Sequence, residues 1–183
     1  MLRELSEEFR KFGKYVVQQS RTNLTKQKHN VTKNLYDSLG YELSEPSPNL
    51  YDLTFYGDDY ATFLDKGVRG ADPSLVKNGR QKGAGSPYSY KNKKPPMQPL
   101  ADWAKKRNIR LRDKKGRFKK GNYRTIGFIL QRSIFAQGIA PTMFFTKPFL
   151  RGVEIYTPLL QAALGRDIDE LIRINVALQK QKK

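Results

Sequence analysis

The chain has 183 residues, enough for one domain with its own core and some appendages. It has no cysteine and a single histidine, which excludes disulfides, thiolate metal sites and histidine metal clusters. The net charge of +18 is unevenly placed: residues 66–124 hold 19 Lys/Arg against 3 Asp/Glu, residues 1–65 hold 8 against 10, and residues 125–183 hold 8 against 4.

The middle third must therefore face water, polyanions or acidic protein surfaces. No apolar run approaches the ~20 residues of a membrane span, so no membrane partner is expected. The opening MLRELSEEFRKFGK carries acids where a signal peptide would be apolar, so it is not expected to be a targeting segment.

Residues 2–28 predict one amphipathic helix, because Leu2, Leu5, Phe9, Phe12 and Val16 recur at spacings of three and four. Asn30 or Thr32 is expected to cap a short helix through Leu35 and Leu39, stopped by Gly40. Tyr41 and Leu43, then Leu50, Leu53 and Phe55, predict two strands joined by a Pro-rich turn. A helical turn or two follows from about Asp58, with Gly67 as its stop. Tyr60, Phe63 and Leu64 share one side of it and are expected to cover the hairpin.

Residues 69–96 hold four prolines and four glycines with little periodicity, and predict a loop. MQPLADWAKKRN predicts a short helix with Pro99 in its first turn and Leu100, Trp103 and Ala104 on one face. Two glycines between basic runs at 109–124 predict a flexible or β-hairpin excursion. RTIGFILQRSIFAQG predicts a helix that is apolar on two sides, with Ile126, Ile129, Leu130 and Ile134 on one face and Phe128 and Phe135 on another flank. Such a helix is expected to be sandwiched between layers. Gly138 should end it. Thr157-Pro158 is expected to open the last helix, with Leu160, Leu164, Ile168, Leu171 and Ile172 as its stripe and a frayed tail over 175–183.

Candidate chemistry is sparse. His29 alone would have to carry any nucleophile activation. Asp58 and Asp59 before a helical pattern are expected to serve as cap and dipole partners rather than as acid and base. GRQKGAGS lacks the spacing of a phosphate-binding loop. The serious chemical pattern is the basic one. Tyr88, Tyr90, Phe118 and Tyr123 interleave with Arg80, Lys82, Lys91, Lys93, Lys94, Lys114, Lys115, Arg117, Lys119 and Lys120. Cations neutralise phosphates while rings stack on bases, so this arm suits a polyanion or an acidic protein surface without a sequence-reading element.

Three stretches, in order, carry a resemblance. Thr32-Lys33-Asn34-Leu35-Tyr36-Asp37-Ser38-Leu39 resembles a "T-G-x-L-x-x-S-hydrophobic" segment. Tyr60 to Gly67, YATFLDKG, resembles "Y-A-x-x-hydrophobic-E-x-G". Arg132-Ser133-Ile134, then Gly138-Ile139, Pro141-Thr142 and Phe144-Phe145, resemble "R-x-I-(x)n-G-I-x-P-x-x-F". Together they resemble the head–tail joining, or tail-completion, neck proteins of tailed bacteriophages. Lys33 stands where glycine is usual and Asp65 where glutamate is. The basic segment 69–124 is longer than the common pattern.

The resemblance implies a small α+β protein of one domain over 1–183: a small antiparallel or mixed sheet packed with a long N-terminal, a central and a C-terminal helix, carrying the basic arm as an insertion. It implies a structural protein of the virion neck, present in the host cytoplasm during assembly, without cofactor, metal or reaction. Its partners would be itself in a ring, a hexamer or dodecamer, the neighbouring connector and tail proteins (terminator or tube), and viral DNA without specificity. Ile139, Phe144 and Phe145 are expected either to anchor a core corner beside the hairpin or to contact a neighbouring subunit. Tyr60 and Phe63 are candidates for the same contacts. Asp65 is expected either to pair with a basic residue, including one of an adjacent subunit, or to be a surface acid. The alternatives are a basic nucleic-acid-binding protein and, more distantly, a small hydrolase using His29 or Asp58.

Overall fold

The computed structural model describes residues 2–29, 32–47 and 50–181, with side chains described to 174. Two compact units are formed, one from residues 1–26, 34–58 and 144–183, the other from 27–33 and 59–143.

The first unit holds α1 (Arg3–Lys26), α2 (Asn34–Ser38), the antiparallel hairpin β1 (Gly40–Ser47) and β2 (Leu50–Tyr56), and α7 (Thr146–Gln181). Most of the expected stripe is in the core: Leu2, just before α1, and Leu5, Phe12 and Val16 are buried, Phe9 is only half-buried, and Val17 and Leu24, outside the expected stripe, are buried with them. The hairpin alternates as a half-buried strand pair should. Tyr41, Leu43, Tyr51, Leu53 and Phe55 turn inward, while Glu42, Ser44, Leu50, Asp52, Thr54 and Tyr56 face out. Phe55 lies at the centre of an aromatic cluster. Phe145 meets it at 5.5 Å, Phe149 at 5.9 Å and Phe12 at 6.1 Å, all edge to face. Phe144 is 1% exposed. The Phe144-Phe145 pair therefore sits in the core beside the hairpin, the first of the two roles open to it.

α7 runs antiparallel to α1. Phe149 and Tyr156 pack on Phe12, and Tyr156 also meets Tyr15. At Gly152 an added Cβ would come within 2.6 Å of the Phe12 ring, so this glycine lets the ring lie against the helix backbone. Near the far end, Asp167 is 4% exposed and accepts hydrogen bonds from the Glu4 and Leu5 amides at 3.1 and 2.9 Å. It caps the first turn of α1 from another helix and sets an anion at the positive end of that helix dipole.

The last helix corrects the sequence reading. It begins at Thr146, not Thr157, and Pro158 lies inside it. An interior proline deletes one backbone hydrogen bond. Packing of Phe149, Gly152 and Tyr156 on α1 fixes the preceding turns as helix, and Thr157 turns its hydroxyl to the Val153 carbonyl at 2.7 Å. The helix continues through Gln181, across most of the segment expected to fray; residues 182 and 183 lie outside the described residues. The candidate cap Asn30 also lies outside them.

The second unit holds α3 (Ala61–Lys66), β3 (Val68–Arg69), α4 (Pro73–Lys77), α5 (Met97–Lys106), α6 (Tyr123–Gln137) and β4 (Gly138–Ile139). β3 and β4 pair antiparallel, Val68 with Ile139 and Arg69 with Gly138. Arg69 also bridges Ser89 in parallel, its amide donating to the Tyr88 carbonyl and its carbonyl accepting from the Tyr90 amide, each at 2.9 Å. Ile139, expected beside the hairpin, belongs to this patch instead. α5 and α6 approach through small residues: Ala101, Ala104 and Gly127 are buried with Ile126 between them. Asn122 caps α6 by accepting from the Thr125 amide at 2.8 Å.

Four further expectations are corrected here. Residues 69–96 are not one loop, since they contain α4 and the single bridge from Ser89 to Arg69. α6 is not sandwiched: Phe128 and Ile129 are exposed. The Asp58-Asp59 cap is absent; α3 is preceded by Tyr60 with no side-chain cap, and the Asp58 amide donates to the Ser38 hydroxyl at 3.0 Å. Asp65 is not a surface acid, at 4% exposed.

Candidate functional site

Two of the resembling stretches are bound to each other through residues 78 apart in sequence. The Thr142 amide and hydroxyl donate to the Leu64 carbonyl at 3.1 and 2.8 Å, and the Met143 amide donates to the Asp65 carbonyl at 3.0 Å. The last carbonyls of α3, which have no partner within their own helix, are thus satisfied by the corner after β4. Gly67 and Gly138 end their helices at φ 72° and 82°. A Cβ on Gly138 would lie 2.2 Å from the Val68 carbonyl oxygen and 2.7 Å from that of Lys82. The glycine is required by both backbone conformation and space.

On this scaffold lies an open groove of about 760 Å³, lined by Tyr60, Phe63, Val68, Tyr88, Ser89, Tyr90, Ile139, Pro95 and Pro96, with Lys91, Lys93 and Lys94 along its rim. Phe63 meets Tyr88 edge to face at 4.7 Å, and Tyr90 lies 6.0 Å from Phe135. Lys94 sits 5.8 Å over the Phe135 ring, a distance suited to cation–π attraction. Burial pushes the Tyr90 phenol above its ordinary pKa, so it remains a neutral hydrogen-bonding group. No carboxylate lines the groove. Of the expected contact residues, the structure gathers Tyr60, Phe63, Ile139, Lys91, Lys93 and Lys94 here. Phe144 and Phe145 stand in the core of the first unit. Asp65 is enclosed by its own fold, which makes its carboxylate a group of that fold rather than of an outer surface. Ser89, Pro95 and Pro96 were not anticipated; the PP pair beside three lysines was the only available signal.

The remaining basic residues are not among those that line the groove. Residues 111–119 make a small hairpin in which Arg112 bridges Phe118. The Asp113 carboxylate accepts from the Lys115 and Arg117 amides at 2.8 and 2.9 Å, and Gly116 turns at φ 79°. Phe118 is 63% exposed with the Arg112 and Arg110 guanidinium groups at 4.4 and 5.7 Å. Lys114, Lys115, Arg117, Lys119 and Lys120 are exposed around it, as are Arg80 before and Lys82 beside β4. His29, the hydrolase candidate, is held below its ordinary pKa by partial burial and by the Arg107 charge. Among the described residues no three His, Asp or Glu side chains converge where a metal could bind. No helix there is long and apolar enough to cross a membrane.

One further surface is exposed among the described residues. Along α7, Leu150, Val153, Leu164, Ile168, Leu171 and Ile172 fall on one side at helical spacing and are all exposed, Leu150 by 56% and Ile172 by 55%. No family model, curated protein or solved structure matches this chain.

Proposed function

We propose that the chain is a structural subunit of a tailed-phage neck, assembling into a ring that joins the head connector to the tail. The mutual docking of its two resembling segments carries the reading. Leu64-Asp65 at the end of α3 and Pro141–Met143 after β4 meet through three hydrogen bonds, and Gly67 and Gly138 make the turns beside them. The residue types that prompted the resemblance thereby share one physical role, which is to build a single corner.

The exposed stripe on α7 agrees with a subunit whose surface is completed by assembly. Six large apolar side chains along one helix side exceed the scattered exposure that a monomer tolerates. Head-to-tail contacts between identical copies close into a ring or run on as a filament, and a neck requires closure. No catalytic constellation enters this reading, and no cofactor. The test is light scattering after size exclusion, with and without the connector and tail proteins of the same phage, followed by negative-stain imaging. A closed ring of six or twelve copies is expected. A chain that stays monomeric with every such partner refutes it.

The hairpin at 111–119 favours a second reading, binding to nucleic acid without sequence preference. An exposed ring flanked by guanidinium groups offers stacking, and the surrounding lysines offer phosphate contacts. It predicts binding to oligo-dT that weakens steeply with salt and is lost when Phe118, Lys119 and Lys120 are replaced by Ala. Binding that ignores salt would exclude it.

A further inference from the structure

The groove of the second unit has a short extended segment with an open edge at its wall. Around the Ser89 bridge, Tyr88 and Tyr90 supply the groups that pair with Arg69, so the Ser89 amide and carbonyl point to the opposite edge. Among the described residues no backbone group pairs with them. An open edge beside an apolar cleft is the geometry that receives an added strand: main-chain bonds give affinity, and alternate side chains enter the cleft. The rings of the groove favour a polypeptide over bases. Phe63 and Tyr88 already pack edge to face on each other, and Tyr90 lies against Phe135, so they form walls rather than free stacking faces.

The chain carries a strand pair with matching chemistry. Residues 40–57 contain three acids and no base. Among the described residues β1 and β2 pair only with each other, so each has an open outer edge. The outward face presents Glu42 and Asp52 with Leu50 and Tyr56, both of the latter 56% exposed. The groove opposes this with an apolar floor and a rim of three lysines without a carboxylate. We infer that the groove receives the β1–β2 hairpin of a second copy, with a hairpin edge pairing to Ser89, Leu50 or Tyr56 entering the aromatic cleft, and Glu42 and Asp52 facing Lys91, Lys93 and Lys94. The contact joins two different surfaces and is therefore head-to-tail. The inference rests on the ring reading and names the surfaces that would close it.

The test uses two full-length charge-reversed variants. One carries Lys91→Glu, Lys93→Glu and Lys94→Glu; the other carries Glu42→Lys and Asp52→Lys. All five positions are exposed, and far-ultraviolet circular dichroism with Trp103 emission verifies folding. A milder Lys91→Gln, Lys93→Gln, Lys94→Gln variant replaces the first if it does not fold. Each reversed variant alone places like charges across the contact and is expected to need at least tenfold more protein to assemble. Mixed one to one, they restore opposite charges at both junctions of an alternating ring, and assembly should return to the wild-type concentration. A hairpin that folded back on its own chain would not be rescued by mixing. If either variant assembles alone as wild type does, or the mixture stays apart, the pairing is wrong while the neck reading stands. If the lysine variant assembles normally but loses oligo-dT binding, the groove serves nucleic acid and the pairing is wrong. If the wild type forms no ring with any partner, the neck reading itself fails and this contact with it.

Discussion

Replacing Gly138 by alanine tests the corner on which the functional reading rests. Gly138 has φ 82° and ψ −169°, a region in which only glycine is comfortable. Forcing alanine there costs about 1–3 kcal/mol. Space adds to this. The new Cβ would stand 2.2 Å from the Val68 oxygen, 2.6 Å from the Gly70 nitrogen and 2.7 Å from the Lys82 oxygen, all backbone atoms that cannot rotate aside. Relief requires β3 and β4 to separate, which forfeits backbone hydrogen bonds worth about 1 kcal/mol each. A loss of about 3–5 kcal/mol follows from the backbone cost together with two such bonds. Trp103, the only tryptophan, lies in α5 and so reports on the same unit. With a urea m-value of about 1–3 kcal/mol per molar, its emission midpoint should fall by at least ~1 M. Two glycines separate the contributions. Gly116 has φ 79° with no atom within 4 Å of an added Cβ, so alanine there meets only the backbone cost. Gly85 has neither a positive φ nor a close neighbour, so alanine there should be neutral or mildly stabilising. The expected order of damage is Gly138, then Gly116, then Gly85. A Gly138→Ala protein no weaker than Gly116→Ala would refute the reasoning.

Asp167→Ala removes the acceptor of the Glu4 and Leu5 amides and should cost about 1–3 kcal/mol, read as an earlier loss of helical circular dichroism; Asp167→Asn should recover part of it. On α7, Leu164→Lys with Ile168→Lys should leave the folding midpoint within about 0.5 kcal/mol, because both side chains are already exposed, yet raise the assembly concentration at least tenfold. His29 is held below its ordinary pKa in the fold, so the unfolded chain binds its proton first as pH falls. Its contribution is whole above about pH 6.5 and declines below it, and His29→Gln should remove that part of the difference between urea midpoints at about pH 7.5 and about pH 5.5.

The elements legible in the sequence were those whose signals are local. α1 announces itself by a five-residue stripe, the hairpin by alternation around prolines, α5 and α6 by short periodic runs, and the ends of α3 and α6 by Gly67 and Gly138. What was hidden depended on partners distant in the chain. Pro158 looks like a helix start because, taken alone, proline fits a first turn better than an interior. Only the packing of Phe149 and Tyr156 on Phe12 makes the preceding residues helical. Asp58 and Asp59 fit the composition of a cap, but the chain enters α3 at Tyr60. Asp167 carried no local mark, because the two amides it accepts from lie more than 160 residues away.

The same distinction explains the basic segment. Charge density at 66–124 suggested one arm, since composition cannot say which cations share a surface. In the fold, Lys91, Lys93 and Lys94 rim an apolar groove, whereas Lys114 to Lys120 surround an exposed ring on a separate hairpin. The two sets should consequently respond differently to salt. Lysines facing two or three carboxylates on a protein surface are screened as pairs, and the hydrophobic floor beneath them persists at high ionic strength. Cations that release counterions from a polyanion weaken with every added contact, in proportion to the logarithm of salt. Assembly that survives half-molar salt, alongside oligonucleotide binding that does not, would divide the +18 charge between two roles; a common salt dependence for both would mean that the groove and the hairpin serve one polyanion.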